Sequence, residues 1–419
     1  MKALTILTST IILCVSNLMA QDDFNQWFLD MTLRIDYNAI CSKDSAEGMF
    51  VSLTTSEGWG GERHSVDHCP HYGTYYLELS DATSGKVLYT YSYNSLSNEW
   101  QTTVTEPDET KKFTECAIMP MPRNAAVINI FRLDSCNVYS KFLSKRVNLR
   151  LETKTAPRKY FETILQATSV FDPINITILP EWYGDNEMDK FVNDAKKLAQ
   201  WLTYSEPYNK YSDRFTINVV LPNKEAMITR ALNQKSSLGF NFNTFNIERY
   251  IASFNSKSIY DLAQSTAFRH IIILINTDQY GGSGFYNYYT CLCIDNEFSK
   301  ELFLHEFGHA FAGLGDEYEK DVTYNIKPSS CEMLEPNLTN LKDFKSKWAD
   351  YIDKDAPIPT PKNRTDIKVG AFEGGGYCSK GIFRPSVNCR MRYKDYNNYC
   401  KICTKIIEET IIRQTEPQK

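Results

Sequence analysis

The sequence predicts an α+β chain of two domains, an antiparallel β-sandwich over residues 21–152 followed by an α/β domain over residues 153–419. Three observations lead there. The length of 419 residues exceeds what one compact core usually accommodates. The region after residue 21 consists of short β-rich runs divided by turn residues, without helical periodicity. Past residue 153 the pattern changes to strands alternating with amphipathic helical stretches.

Residues 1–20 stand apart from both domains. Lys2 gives a short positive start, Ala3 to Val15 is mostly apolar, and Leu18-Met19-Ala20 ends on a small residue before Gln21. This is the pattern of a secretory signal cleaved after Ala20, too short to remain as a membrane span. No later apolar run is long enough for a transmembrane helix, so an exported protein with no membrane span is expected. Of the 12 cysteines only Cys14 lies within this signal. So many in an exported chain predict disulfides, Cys400 with Cys403 among them. Sequons at Asn175, Asn337 and Asn363 would carry glycans only in a eukaryotic host.

The β-sandwich rests on four runs. Trp27 to Tyr37 alternates in its second half, and Tyr75 to Leu79, Val87 to Tyr93 and Ala126 to Phe131 are rich in β-formers. Gly85, Asn94, Asp108 and Pro122 divide them at sandwich-like spacing. No catalytic residue types cluster here, so this region is expected to pack on the second domain.

The segment Thr153 to Arg158 is polar and marks the boundary. Ile176 to Leu179 then reads as a strand, and Asp185 caps a helix with Met188, Phe191, Val192, Ala195, Leu198, Ala199 and Leu202 on one face. Phe215 to Val220 and His270 to Ile275 are further strands. Strands joined by helices imply a largely parallel sheet. Tyr280-Gly281-Gly282-Ser283-Gly284 reads as a flexible turn into an edge strand over Tyr288 to Ile294, suited either to holding an extended peptide or to forming an ordinary hairpin.

Composition narrows the function. Hydrophobic residues make up 42% and charged residues 23%, an ordinary globular balance. A net charge of -5 argues against a nucleic-acid partner or an anionic membrane surface.

The chemistry concentrates at Leu302-Phe303-Leu304-His305-Glu306-Phe307-Gly308-His309. In a helix, His305 and His309 share a face one turn apart, which lets both imidazoles bind one tetrahedral Zn²⁺. Glu306 beside them can take a proton from a water that the metal acidifies. Only 6 histidines occur in the chain, and exposed ones rarely sit among Leu, Phe and Ala. A catalytic zinc needs a third protein ligand. Gly313-Leu314-Gly315 stops the helix and turns the chain back, presenting Asp316 as ligand and Glu317 behind it, or the two in reversed order. Met391 in Asn388-Cys389-Arg390-Met391-Arg392 is placed to lie under the metal, and Tyr393 to reach the oxyanion of a tetrahedral intermediate.

His305-Glu306-Phe307-Gly308-His309 with Gly313-Leu314-Gly315-Asp316-Glu317-Tyr318 resembles the zinc signature of the immunoglobulin A peptidase family, family sixty-four of the metallopeptidases. The likeness continues in Leu179 to Phe191, in Tyr280 to Gly284, and from Phe383-Arg384-Pro385-Ser386 to Arg392, covering about residues 160 to 410. The N-terminal region resembles the sandwich domain that precedes the peptidase in many members. The resemblance implies a metzincin-like zinc endopeptidase acting on a protein or peptide, with His305 and His309 as ligands and Glu306 as general base. In the common metzincin spacing the glycine and the third ligand come one residue earlier, where this chain has Ala312 and Gly315. Asp316 therefore rests on the turn. Two other readings stay open: a metal-dependent amidase or glycopeptidase, and a binding protein whose zinc is structural.

Overall fold

A computed structural model describes residues 24–417 except 65, 105, 107–108, 135–136, 149–152, 157–159, 170–171, 222–237, 320–330 and 394–395. The expected signal at 1–20 lies outside the described residues.

Two four-stranded sheets form the N-terminal region. One has the order β5 (Lys111–Pro122), β1 (Phe28–Cys41), β2 (Ala46–Glu57), β8 (Thr153–Thr155). The other runs β4 (Val87–Tyr93), β3 (Tyr75–Asp81), β6 (Ala126–Leu133), β7 (Tyr139–Val147). Neighbours are antiparallel except β8, which joins β2 in parallel. Thr153–Thr155, placed by the sequence at the start of the second domain, is thus the last strand of the first sheet. A short helix, α1 (Leu96–Thr103), lies between β4 and β5. Over residues 32–37 β1 is buried on both faces, with Leu33, Ile35 and Tyr37 on one and Thr32, Arg34 and Asp36 on the other.

The second region is built on a six-stranded mixed sheet. Its central strands β10 (Ile174–Glu181), β11 (Phe215–Leu221), β14 (His270–Ile275) and β16 (Tyr289–Cys293) are parallel. The two edges, β9 (Tyr160–Leu165) and β15 (Gly282–Phe285), are antiparallel to their neighbours. Two ladders stand outside it, β12 (Phe240–Asn241) with β13 (Ala252–Ser253), and β17 (Phe372–Gly375) with β18 (Cys378–Arg384). The helices are α2 (Met188–Tyr204), α3 (Ser256–Ala263), α4 (Ser299–Ala312) and α5 (Lys401–Thr415). The start of α2 follows a 3-10 turn over Asp185–Glu187, where the Glu187 carboxylate accepts from the Gly184 N–H at 2.7 Å.

Strand alternation makes the six-stranded sheet a wall between two cores. Ile272, Leu274, Ile176 and Ile178 pack with Phe191 and Leu198 of α2, Phe303 and Phe307 of α4, and Ile407 of α5. Ile271, Ile273 and Ile275 face the other way and share one cluster with Leu33, Ile35, Tyr89 and Tyr91 of the sandwich and with Ile259 of α3. The sandwich therefore packs on the sheet, as expected. Polar ties cross the junction: buried Arg34 pairs with Asp261 of α3 at 2.7 Å, and Tyr91 donates to the Asn287 carbonyl at 2.5 Å.

One expectation is corrected. Tyr289–Cys293 is not an open edge, because it pairs with β14 on one side and β15 on the other and is fully buried. The glycine-rich run supplies the edge strand itself. Gly284 packs so tightly on α4 that a Cβ there would lie 2.0 Å from the Glu306 carbonyl oxygen.

Candidate metal centre

Helix α4 carries the expected pair. It is apolar almost all round, with Phe303, Leu304, Phe307 and Phe311 buried against the sheet. His305 and His309 emerge on its remaining face, their side chains 17% exposed. Gly313 then ends the helix in the left-handed conformation, φ +66, its N–H returning to the Gly308 and His309 carbonyls. The next residues double back and place Asp316 over the two imidazoles. Asp316 Oδ1 lies 3.0 Å from His305 Nε2 and 3.3 Å from His309 Nε2, and the two Nε2 atoms are 3.1 Å apart.

Backbone carbonyls set the orientation of both rings. His305 Nδ1 donates to the Arg390 carbonyl at 3.0 Å, and His309 Nδ1 to the Leu314 carbonyl at 2.5 Å. With Nδ1 protonated, each Nε2 lone pair turns toward Asp316. Donors about 2.0–2.2 Å from a tetrahedral zinc stand about 3.3–3.6 Å from one another, close to this triangle. The donor set fits the ion.

The electrostatics follow from the crowding. Burial opposes protonation of His309, but the Asp316 carboxylate outweighs it and raises its pKa to about 9. Burial likewise works against the charge of Asp316, and the two histidines overcome it, holding its carboxyl well below the usual range.

Glu306, 8% exposed, opens into two adjoining cavities of about 620 and 300 Å³ that share Arg249, His305, Glu306 and Tyr318. Tyr393 lines the larger cavity, half-exposed and covered by the Arg392 guanidinium. Met391 is fully buried, its sulfur against Gly308, and its carbonyl accepts from the Glu317 N–H at 2.8 Å.

Several site residues carry no local sequence signal. Tyr377 donates its hydroxyl to Asp316 Oδ2, and Gly376 N–H donates to the Asp316 carbonyl at 2.7 Å. Tyr318 meets Tyr377 at 3.3 Å, and Arg249 bonds Tyr318. Burial works against the Arg249 charge, but Tyr318, Glu306 and Asp316 outweigh it and raise its pKa. Asn337, read from the sequence as a sequon, is fully buried. It brackets Gly315 through both N–H and C=O at 2.7 and 3.0 Å and donates to Glu317 at 3.0 Å. Its amide is thus committed to the metal loop. The N-terminal region, where no catalytic residue types cluster, nonetheless lends one acidic side chain to the site. Glu99 of α1 lines the smaller cavity, its pKa pushed up to about 7 by burial and by the field of Asp316.

The disulfide expected between Cys400 and Cys403 is also corrected. Cys400 and Cys403 are not joined to each other; both are thiols and share a buried cluster with Cys389 and Glu317.

Residues 163–368 and 362–411 match the family described as IgA Peptidase M64, and residues 23–144 match the Peptidase M64 N-terminus. Among curated proteins none matches the chain. The chain belongs to the IgA peptidase M64 family, with that family's N-terminal domain.

Proposed function

We propose that this member of the M64 family is a secreted zinc-dependent endopeptidase, with His305, His309 and Asp316 holding the ion and Glu306 as general base. The observation that carries the reading is the Nε2, Nε2 and Oδ1 triangle, with edges of 3.0 to 3.3 Å, on the wall of a cleft that Glu306 shares. Two imidazoles and one carboxylate suit zinc and leave one position facing the cleft, as a catalytic site needs. A structural zinc would call for a fourth protein donor, and only three converge here among the described residues.

When bound, zinc supplies Lewis-acid polarisation of the scissile carbonyl and acidifies water. The protein's own groups do the remaining work. Glu306 takes a proton from the attacking water and returns it to the departing amine. Arg249 and Tyr393, both on the larger cavity, are the candidate donors to the carbonyl oxygen as it becomes anionic. Two cavities meeting at His305 and Glu306 leave room for chain on both sides of the bond, which favours an endopeptidase. Met391 beneath the histidines favours a metzincin-like catalytic region.

Export rests on residues 1–20, and among the described residues no helix is long and apolar enough to cross a membrane. N-terminal sequencing of protein recovered outside the cell should begin at Gln21; a chain that retains Met1 there overturns the signal assignment. For the activity, the purified protein is offered a peptide library with and without chelator. Internal cleavage that chelator abolishes and zinc restores is expected. Cleavage indifferent to chelator, or none of any peptide bond while amides or glycopeptides are hydrolysed, overturns the proposal.

A further inference from the structure

Directly behind the cleft lies a second set of donors that the proposed activity does not use. Glu317, Cys389, Cys400 and Cys403 are all buried, and one donor atom from each lies within 4.8 Å of the others. Cys389 Sγ and Cys403 Sγ are 3.7 Å apart. A disulfide would hold them at about 2.05 Å, whereas two thiolates on one tetrahedral zinc, each at about 2.3 Å, stand about 3.8 Å apart. Cys403 Sγ lies 3.2 Å from Glu317 Oε1, and the Cys400 N–H points at Cys389 Sγ at 3.3 Å.

Glu317 gives the independent sign that a cation belongs there. Its Oε1 accepts from Asn337, but its Oε2 is buried with no partner. An unsatisfied carboxylate oxygen is costly inside a protein and cheap on a metal. Cys400 and Cys403, at the start of α5 and three residues apart, present their sulfurs to one point.

We propose that Glu317, Cys389, Cys400 and Cys403 form a second zinc site, structural and closed to solvent. Three thiolates and a carboxylate complete a tetrahedral shell without room for water. With three thiolates and one carboxylate on the ion the site carries a net charge of minus two, the displaced protons passing to solvent, next to the buried Arg384 guanidinium that acts on Glu317. The ion joins three segments: the loop after α4, the Met391 segment and α5. Through Glu317 it fixes the neighbouring Asp316, and through Cys389 the Arg390 carbonyl that orients His305. These four are positioning residues for the cleft cluster.

The test is metal analysis of the full chain together with the visible spectrum of its cobalt-substituted form. We expect two zinc ions per wild-type chain, one in His305→Ala and one in Cys403→Ser. The cobalt form should show a thiolate charge-transfer band that His305→Ala keeps and Cys403→Ser loses. The wild-type and His305→Ala measurements do not depend on whether the cysteine variant folds. A wild-type chain with one zinc and no thiolate band, or non-reducing peptide mapping that finds two of the three cysteines joined, overturns the proposal. If His305→Ala still holds two ions, the thiolate site stands and the reading of the cleft fails instead.

Discussion

Asp316 and Glu317 are neighbours in sequence, yet their carboxylates serve opposite surroundings. Asp316 closes a triangle with two imidazoles beside a cavity of about 300 Å³, and its second oxygen takes a tyrosine hydroxyl. Glu317 points into the core toward three thiols, fully buried, with one oxygen unpaired. The difference teaches that coordination number follows from where the backbone turns. Side chains on an extended segment alternate, so one residue faces the cleft and the next faces the interior. Three donors with an open direction suit turnover, and four donors without one suit rigidity.

The sharpest attack on this comparison is Glu306→Gln. It should lower kcat by about 10²- to 10⁴-fold while both metal contents stay unchanged. Peptide turnover and zinc analysis on one preparation check it, and an active variant removes the general base from the open site.

Acid provides a control that touches neither cluster. Burial, followed by the nearby Arg269 charge, lowers the pKa of His270 to about 3, from 6.5. A folded pKa below the unfolded one means that its stabilising contribution is present above pH 6.5 and drains as pH falls toward 3. The slope should be about 1.4 kcal/mol per pH unit. Denaturant unfolding across that range should show it, and His270→Gln should flatten it; an unchanged slope would place the acid sensitivity elsewhere.

Tyr377→Phe removes the hydroxyl on Asp316 and should weaken the cleft ion by about 10- to 100-fold, leaving the thiolate-bound ion untouched. Competition with a chelator reads both at once, and equal weakening of the two would break the comparison. The smallest effect expected is that of Tyr393→Phe. Its half-exposed hydroxyl should matter less than the about 10²–10³-fold lost when a fixed oxyanion donor is removed. Unchanged kcat would leave that role to Arg249.

The cleft cluster was partly legible because its signal is local. His305, Glu306 and His309 fall within one helical turn, and Gly313 announces where the turn toward Asp316 begins. Tyr377, Arg249, Asn337 and Glu99 act on the same site from distant segments whose own sequence carries no trace of it. The Cys-x-x-Cys pair showed half of a donor set, with Cys389 and Glu317 brought in only by folding. In the sandwich, β1, β3, β4 and β6 announced themselves by β-formers. The strand β2 did not, because its first half alternates exposed and half-buried positions with little apolar contrast. The edge was misplaced by one strand because glycines read as a turn, whereas Gly284 here marks close contact with α4.

The six-stranded sheet is a party wall, and that limits how the enzyme could be kept latent. Ile271, Ile273 and Ile275 share their cluster with sandwich residues, and Glu99 belongs to the lining of the cleft. Shedding the N-terminal region as a propeptide would strip one face of the sheet to water and take away part of the substrate wall. In this fold the first domain is a standing part of the catalytic region's frame, holding one face of its sheet dry and lending Glu99 to the cleft.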